Sequence, residues 1–319
     1  MHHQEQEEVK KDDVLISTVR PNLKSHLHIK INVKNWICST GFAVIRCKKE
    51  IVNSSFIFNH FFAFIINNQI DNLITGSNYP AISNREVKYL KIPLPPLPEQ
   101  KAIATVLSDT DSLILALEKK IAKKQLIKKG AMQELLAPKE GWETKTLGEI
   151  FYITAGGDLR TDDFSEIKTS VYQYPIYSNA QTNKGLYGFC KNYDYEQNAI
   201  TISARGGIGY TVSRSENFAA IGRLLVLKPI ADINCKFIEE FINVNIEFSS
   251  ESTGVPQLTA PQVSKYFVSF PSLEEQNHIA QILSDMDAEI EVLEKKLAKY
   301  KQIKQGLMQV LLTEKIRLL

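Results

Sequence analysis

Cysteine is scarce in this sequence of 319 residues, and its four copies stand far apart. Cys38, Cys47, Cys190 and Cys235 form no Cys-x-x-Cys pair, which excludes the usual zinc-ribbon and dithiol redox motifs. Scattered cysteines are typical of reduced structural thiols in a cytosolic protein, so we expect a cytoplasmic location.

Long apolar segments are also absent. The longest one, residues 56–66, is interrupted by Asn59 and His60, and a membrane-spanning helix needs about 20 apolar residues. We therefore expect no membrane partner. Hydrophobic residues nevertheless make up 44% of the chain and charged residues 23%, a composition typical of folded domains with packed cores.

The chain has no strong excess of charge of either sign, because 38 Lys and Arg residues face 36 Asp and Glu residues. The distribution is uneven: residues 1–97 hold 12 basic and 8 acidic residues, a net +4, and residues 141–270 hold 11 and 14, a net −3. This balance excludes nucleic-acid binding through overall charge. Such a function would depend on local basic patches.

Motifs for nucleotide and methyl-donor chemistry are missing as well. Pro95-Pro96 lacks the preceding Asn or Asp and the following aromatic residue of an adenine methyltransferase motif, and no glycine fingerprint for S-adenosylmethionine or a dinucleotide occurs. The segment from Arg205 to Gly209 (RGGIG) lacks the Gly-Lys-Ser/Thr of a P-loop, so we favour a β-turn there.

Metal-ligand patterns are equally weak. Asp163 and Glu166 are spaced too closely for a nuclease site and are better explained as a solvated loop. His26 and His28 could share one strand face, but no further ligand follows at metal-binding spacing. We predict no catalytic residue, no cofactor and no metal site.

An internal repeat is the strongest feature that is present. Leu97–Leu136 and Leu273–Leu312 align without a gap at an offset of 176, and more than half of the 40 aligned positions are identical. The repeat extends backwards, where Pro95 matches Pro271. The chain is therefore two copies of one plan, a globular part followed by a long segment.

Both long segments carry apolar residues at heptad spacing, which predicts two helices with a coiled-coil seam. Seam positions are Leu107, Ile114, Leu117, Ile121, Leu283, Met286, Ile290, Leu293 and Leu297. Equal lengths and matched seams predict antiparallel packing with a pseudo-twofold repeat. Forty helical residues span roughly 60 Å, which is the length of on the order of 17 base pairs.

The globular parts are predicted to be mixed α/β, giving an α+β fold. Short strands are expected at Ala199–Ser203 and Leu224–Leu227, and an amphipathic helix over Phe237–Ile246. Val14–Ser17 parallels the first of these strands, but 13 residues precede Val14 whereas 59 residues (141–199) precede Ile200. We therefore expect the first part to be N-terminally incomplete by about 46 residues, from the difference of those two counts.

These features together resemble the specificity subunit of type I restriction–modification enzymes. The matching motifs are Ile92–Gln100 (IPLPPLPEQ), the two repeated helices, Gly141-Trp142 with Leu147–Glu149 (LGE), and Asp13–Arg20 (DVLISTVR). The resemblance covers nearly the whole chain, and its motif of prolines followed by Glu-Gln and a long helix occurs twice.

The resemblance implies a non-catalytic subunit that binds double-stranded DNA. It implies target-recognition domains at 1–96 and 139–271, each reading one half of a bipartite site, and long helices at 97–138 and 272–319. The implied partners are two methyltransferase (M) subunits, which dock on the helices, and restriction/motor (R) subunits.

DNA contacts are expected on loops that combine hydrogen-bonding and basic side chains. In the second domain the candidates are Tyr177, Asn179, Gln181, Asn183, Lys184, Arg205 and Arg214. In the first domain they are Arg20, Lys24 and Lys30, which follow a predicted strand. An ordinary polar loop, in which Asn and Gly serve turn geometry, is the competing explanation.

Two other functions stay open at this point. A truncated silent or decoy cassette would bind the methyltransferase subunit, or self-associate, without reading a full site. A stand-alone enzyme with an unrecognised site would show activity as an isolated chain.

Overall fold

The computed structural model describes residues 7–74, 80–249, 257–313 and 315–318. The chain forms two compact units: unit 1 comprises Met1–Ala122 with Val292–Leu319, and unit 2 comprises Lys123–Glu291. Within the described ranges, no helix is both long and apolar enough to cross a membrane.

Unit 1 begins with a small antiparallel sheet and continues with short helices. Its strands are β1 (Val14–Ser17), β2 (Leu27–His28) and β3 (Phe42–Ile45), and its short helices are α1 (Ser54–His60), α2 (Phe64–Leu73) and α3 (Asn84–Val87). The strand order is β2-β1-β3. A long helix, α4 (Leu97–Leu135), follows.

The core of unit 1 lies between this sheet and the helices. Val14 and Ile16 are fully buried on one face of β1, against Phe56 of α1 and Ile66 of α2. Leu15 points to the other face, where it joins a smaller cluster. This alternation is what a strand covered on both faces requires.

Unit 2 has nine strands in its described part, with three short helices and parts of both long helices. After α4 come β4 (Glu143–Thr146), α5 (Leu147–Ile150), β5 (Phe151–Ala155), β6 (Tyr174–Tyr177), β7 (Leu186–Cys190), β8 (Ala199–Ile202), β9 (Thr211–Arg214), β10 (Ala219–Ala220) and β11 (Leu225–Pro229). Then follow α6 (Cys235–Asn245), α7 (Ala260–Val263), β12 (Phe267–Phe270) and the second long helix, α8 (Leu273–Leu311).

The strands of unit 2 form three sheets. The central sheet has the order β5-β11-β8-β9, a second has the order β10-β6-β7, and β12 pairs with β4. The buried side chains of β8 and β11 pack against Phe237 and Phe241 of α6. The predicted strands at Ala199–Ser203 and Leu224–Leu227 and the predicted helix over Phe237–Ile246 are confirmed, with ends shifted by one or two residues.

The two units repeat the same strand pairing. In unit 1, Ile16 lies opposite Ala43 across β1 and β3, and in unit 2 the matching Ile202 lies opposite Leu225 across β8 and β11. Unit 2 adds a fourth strand, β5, on the outer side of β11. The repeat seen in the sequence of the helices therefore extends into the folds of the globular parts.

In unit 1, the first half of α4 lies antiparallel to the second half of α8. Leu117 and Ile121 are buried against Leu293, with Leu297 and Tyr300 packed at the edge. Among the other seam positions, Leu107 is buried beside Met308 and Leu311 of α8, and Ile114 is half-buried.

Ion pairs across the helices fix the same antiparallel register in unit 1. Lys301 pairs with Glu118 at 2.8 Å, and Lys304 pairs with Asp111 at 2.5 Å. Lys304 stands at a heptad seam position. A charge there is stabilised because an acidic partner on the facing helix receives it.

In unit 2, the second half of α4 lies antiparallel to the first half of α8. Lys124 and Lys128, both at seam positions, pair with Glu289 and Asp287 at 2.6 Å each. The predicted seam residues of α8 in this unit face inward. Leu283 and Ile290 are buried, and Met286 packs against the core of unit 2.

One buried glutamine at the start of each long helix joins it to its globular part. The side chain of Gln100 accepts from the Asn53 amide at 2.9 Å and donates to the Pro95 carbonyl at 2.8 Å. Gln276 makes the same bonds to Asn234 and Pro271, at 3.0 and 2.9 Å. The repeated Glu-Gln motif is thus a structural joint.

Asn53 and Asn234 are also equivalent. Each caps a helix of its globular part, because its side-chain oxygen accepts from the amide three residues later, at 2.9 Å. The joint therefore ties a long helix to the N-terminus of α1 in unit 1 and of α6 in unit 2.

Candidate functional site

Three loops of unit 2 meet around the side chain of Asn179. Its amide nitrogen donates to the Gly222 carbonyl at 2.7 Å, and its side-chain oxygen accepts from the Ala204 amide at 2.7 Å. Asn179 lies in the loop between β6 and β7, Ala204 follows β8, and Gly222 precedes β11. A single side chain thus satisfies backbone groups of two other loops.

A second side chain of the same loop reinforces the contact. Gln181 donates to the Gly207 carbonyl at 3.3 Å. A side chain at position 207 would collide with the Gln181 amide, since a Cβ built there lies 2.2 Å from its nitrogen. A side chain at position 207 would therefore displace the Gln181 amide from its present position against this loop.

Each of the three loops carries an exposed cation, and we call Lys184, Arg205 and Arg223 the cation cluster. Arg205 follows Ala204 directly and hydrogen-bonds the Gln257 side chain at 3.1 and 3.2 Å. Across the described parts of unit 2, neither Lys184 nor Arg223 forms an ion pair. Their charges are available to an anionic ligand such as phosphate.

Arg223 was missed by the sequence reasoning. It follows Gly222, and both residues have left-handed backbone conformations, with φ of 66° and 67°. A non-glycine residue at positive φ is uncommon and often marks a functional turn. Nothing in the local sequence distinguishes Arg223 from any other loop arginine, because its position depends on the distant Asn179.

Asn183 and Lys184 are also left-handed, with φ of 48° and 51°. Both are exposed at the tip of the loop between β6 and β7. Asparagine adopts this conformation readily, so its choice at position 183 serves the turn as well as offering an amide to a ligand.

Tyr177 and Arg214 lie beneath this loop. Arg214 is 5% exposed, donates to the Lys184 carbonyl at 2.8 Å and to the Thr201 hydroxyl at 3.0 Å, and covers the Tyr177 ring at 3.5 Å. Since their side chains are buried, we assign both residues to holding the loop from below rather than to contacting DNA.

The protonation of these two residues reflects their burial. Burial lowers the pKa of the Arg214 guanidinium from its ordinary value. Burial also raises the pKa of Tyr177 to about 12, and the hydrogen bond from its hydroxyl to Glu216, 2.8 Å long, adds to this effect. Tyr177 therefore stays protonated and remains a donor at neutral pH.

The corresponding loop of unit 1 follows β1. Ile82 donates to the Thr18 carbonyl there, as Leu258 donates to the Ala204 carbonyl in unit 2. When β1 is aligned with β8, Arg20 corresponds to Gly206. Both residues have left-handed backbone conformations, with φ of 49° and 70°. The two units thus present the same turn at the same place.

The predicted contacts of unit 1 are spread along this loop. Arg20 and Lys24 flank a single helical turn, Pro21–Leu23, and Lys30 follows β2. All three are exposed.

The histidines of this loop are structural. His26 accepts from the Ser17 amide at 3.2 Å through Nδ1, and His28 Nε2 lies 3.1 Å from the Ser54 hydroxyl. Throughout the described residues, no three His, Cys, Asp or Glu side chains are grouped to hold a metal ion.

Three comparisons place these units among known proteins. The family model described as the type I restriction modification DNA specificity domain matches residues 1–128 and again 139–302. A protein of Mycoplasma pneumoniae named as a candidate type I specificity subunit is 27% identical over 253 residues, covering 78% of this chain and 68% of its own.

Two solved structures share the fold. The crystal structure of the S subunit of a type I restriction–modification system from M. genitalium aligns with a TM-score of 0.69 at 18% identity, covering 96% of this chain and 84% of that one. A chain from a structure that describes complex assembly and conformational transition of the type I system aligns with a TM-score of 0.54 at 21% identity, covering 97% and 83%.

Proposed function

Because this chain belongs to the type I restriction–modification DNA specificity family, we propose that it selects the DNA sequence on which a type I complex acts and performs no catalysis itself. The observation that carries this proposal is the junction at Asn179, which joins three loops that each carry an exposed cation. Basic and amide side chains on such loops are suited to phosphate positioning and base readout.

We assign the two recognition domains to residues 1–96 and 139–271, each with its own half of a bipartite site. The repeated strand pairing and the equivalent turns at Arg20 and Gly206 support one reading loop per domain. Arg205, Lys184, Asn183 and Arg223 are the contacts we place in the second domain.

We further propose that the long helices at 97–138 and 272–319 bind two methyltransferase subunits, and that motor–nuclease subunits join them. Support comes from the family and from the solved relative that describes assembly of a type I system. Exposed apolar side chains on α4, such as Leu115 and Leu126, offer surface for such partners.

Adenine methylation mapped across a genome tests the proposal. The chain is expressed with a cognate methyltransferase subunit in an unmethylated host, and modified adenines are located by long-read sequencing. A bipartite motif with a fixed spacer is the expected result. The matched control replaces this chain with a Lys184→Ala, Arg205→Ala, Arg223→Ala triple variant, which should lose methylation while retaining the methyltransferase.

A second function has one observation in its favour. The central sheet of unit 1 has three strands where that of unit 2 has four, which favours a decoy that binds the methyltransferase without reading a full site. A stable complex that methylates nothing would support this function. A palindromic motif would instead indicate two copies that both read through unit 2.

A further inference from the structure

Arg214 stands at a position of unit 2 where unit 1 has an apolar residue. The Asn198 amide donates to the Arg214 carbonyl at 2.8 Å, and the Asp12 amide donates to the Ile29 carbonyl at 2.7 Å. Asp12 corresponds to Asn198 when β1 is aligned with β8. Arg214 and Ile29 therefore occupy the same position in the two folds.

The neighbouring strand shows the same exchange of an apolar for a polar residue. In unit 1, Ile29 and Leu15 are buried in one apolar cluster. In unit 2 the residue that corresponds to Leu15 is Thr201, whose hydroxyl accepts from Nε of Arg214 at 3.0 Å. Since an apolar pair fills this place in unit 1, the fold itself does not require an arginine there.

The guanidinium of Arg214 is a costly group to bury. The residue is 5% exposed, and among the described residues no carboxylate lies within ion-pair distance of it. Its charge lies over the Tyr177 ring, 3.5 Å from the ring centre. Burial lowers the pKa of this guanidinium, because it disfavours the charged form. An apolar side chain would be easier to bury at this position.

The arginine reaches the tip of the loop between β6 and β7. Its Nη2 donates to the Lys184 carbonyl at 2.8 Å. Asn183 and Lys184 are consecutive residues with left-handed backbones, and such conformations persist where the surrounding structure holds them. Below the tip, the Ser178 amide donates to the Gly185 carbonyl at 2.8 Å and closes the loop.

The junction at Asn179 supports a different part of the same loop. The side chains of Asn179 and Gln181 bind backbone groups of the neighbouring loops. Both residues precede the tip, whereas Arg214 bonds the tip itself at Lys184. The loop is therefore held at two places, and Arg214 supplies the support nearest to the exposed Asn183 and Lys184.

We propose that Arg214 is a positioning residue for sequence readout by unit 2. By fixing the Lys184 carbonyl, its guanidinium orients the side chains of Asn183 and Lys184 towards DNA. The proposal rests on the proposed function of this loop as a DNA contact. Base readout needs an amide at a fixed position, whereas a lysine is a flexible point charge that reaches phosphate from several directions. Arg214 thus determines specificity more than affinity.

DNA binding by the full chain in complex with its methyltransferase tests the proposal. One duplex carries the motif methylated with the wild-type chain, and the others differ from it by one base pair in either half. For Arg214→Met, the preference for the cognate duplex should fall about tenfold in one half only, the size of one lost base contact. The slope of log K against log salt should stay unchanged, since no phosphate contact is removed.

Stability separates positioning from a purely structural role. Replacing a buried charge with an apolar side chain is often neutral or stabilising. Trp142 belongs to unit 2, and its fluorescence in a Trp36→Phe background reports unfolding of that unit. Arg214→Met should unfold at the wild-type urea midpoint or above it. Hydrogen exchange of the Ser178 amide should nevertheless become faster, because the tip of the loop is no longer held.

Two further variants serve as controls. Ile29→Met places the same side chain at the equivalent position of unit 1 and should keep the preference in both halves, since it exchanges one apolar residue for another. Arg214→Lys keeps the charge but lacks the planar fork that bonds Thr201 and Lys184 together. Its preference should lie between those of the wild type and Arg214→Met.

The proposal is overturned if Arg214→Met keeps its full preference or leaves exchange of the Ser178 amide unchanged. Weaker binding to every duplex with a reduced salt slope would make Arg214 a phosphate contact instead. If Arg214→Met does not fold, full preference in Arg214→Lys would exclude positioning by the fork. A wild-type complex without any sequence preference would contradict the proposed function, and exchange of the Ser178 amide would still test how the loop is held.

Discussion

At the scale of single residues, the candidate site separates side chains that face a ligand from side chains that hold the loops. Asn179 uses both ends of its amide on backbone groups of neighbouring loops, and Arg214 is buried under the Lys184 carbonyl. The cation cluster remains at the surface. Residue type alone does not separate these roles, because arginine and asparagine suit both.

The cation cluster should determine how strongly DNA binding by unit 2 depends on salt. Each phosphate contact that is lost reduces the slope of log K against log salt by about 0.9. Arg205→Ala, Lys184→Ala and Arg223→Ala should each reduce the slope by roughly that amount. Lys265→Ala, at an exposed cation outside the cluster, is the control and should leave the slope unchanged.

The buried histidines of unit 1 should make its stability depend on pH. Burial lowers the pKa of His60 to about 4, and His26 is lowered to about 4 by burial and by nearby Lys24. Unfolded histidine binds its proton near pH 6.5, so the unfolded state gains protons first as pH falls. The free energy of unfolding is highest above pH 6.5. Protonation linked to His60 alone should lower it by about 2 kcal/mol between pH 7 and pH 5.

Tryptophan fluorescence can follow this loss in unit 1. The two tryptophans are Trp36 in unit 1 and Trp142 in unit 2, so Trp142→Phe leaves a probe in unit 1. The urea midpoint of the Trp142→Phe variant should be lower at pH 5 than at pH 7. His60→Phe should reduce the difference, whereas His278→Gln, at an exposed position, should keep it. An unchanged difference in the His60 variant would contradict the assignment.

At the scale of elements, the long helices show why a seam predicted from heptads can hold charged residues. Lys124 and Lys128 interrupt the apolar seam of α4, and each meets an acidic residue of α8. Opposite charges at these places select one antiparallel register among those that the apolar residues alone would allow. The glutamine joints then fix where each helix begins.

A charge placed in the seam should separate the helices in unit 1. Leu293 is buried against Leu117 and Ile121, so Leu293→Asp should cost about 3 kcal/mol or more, since it leaves a cavity and buries a charge. Val292→Asp, one residue away and 63% exposed, should cost less than about 0.5 kcal/mol. Urea unfolding measures both.

The same pair of variants bears on partner binding. If the helices dock methyltransferase subunits, Leu293→Asp should also reduce co-purification of that subunit, and Val292→Asp serves as the surface control. Full recovery of the partner by Leu293→Asp would count against docking on the paired helices.

At the scale of the whole molecule, the two units share one plan but are unequally elaborated. Unit 2 has the paired strands β4 and β12, a four-stranded sheet, a second sheet and the junction at Asn179, whereas the described part of unit 1 has one three-stranded sheet. If each unit reads its own half-site, their contributions to specificity should be separable.

Variants in one unit should therefore alter one half of the methylated motif. Arg205→Ala should relax the half read by unit 2 and leave the other half unchanged. Arg20→Ala with Lys24→Ala should do the reverse. Methylome mapping of both variants measures which half of the motif changes. If variants in one loop altered both halves of the motif, the assignment of one domain to each half-site would be contradicted.

The sequence by itself determined the duplicated plan, the two long helices and their seam, because these depend on periodicity and on identity between distant segments. It also determined the family, since the motif of prolines, Glu-Gln and a long helix occurs twice. The strands at Val14–Ser17 and Ala199–Ser203 followed from runs of apolar and β-branched residues.

Only the tertiary structure decided which polar residues of the loops face outward. Arg214 and Arg205 look alike in the sequence, yet one is buried beneath Lys184 and the other stands beside the junction. Arg223 joins the cluster because Asn179, 44 positions earlier in the chain, binds the carbonyl next to it. Contacts between residues this far apart depend on how the loops meet in space, and the spacing of residues within one loop does not predict them.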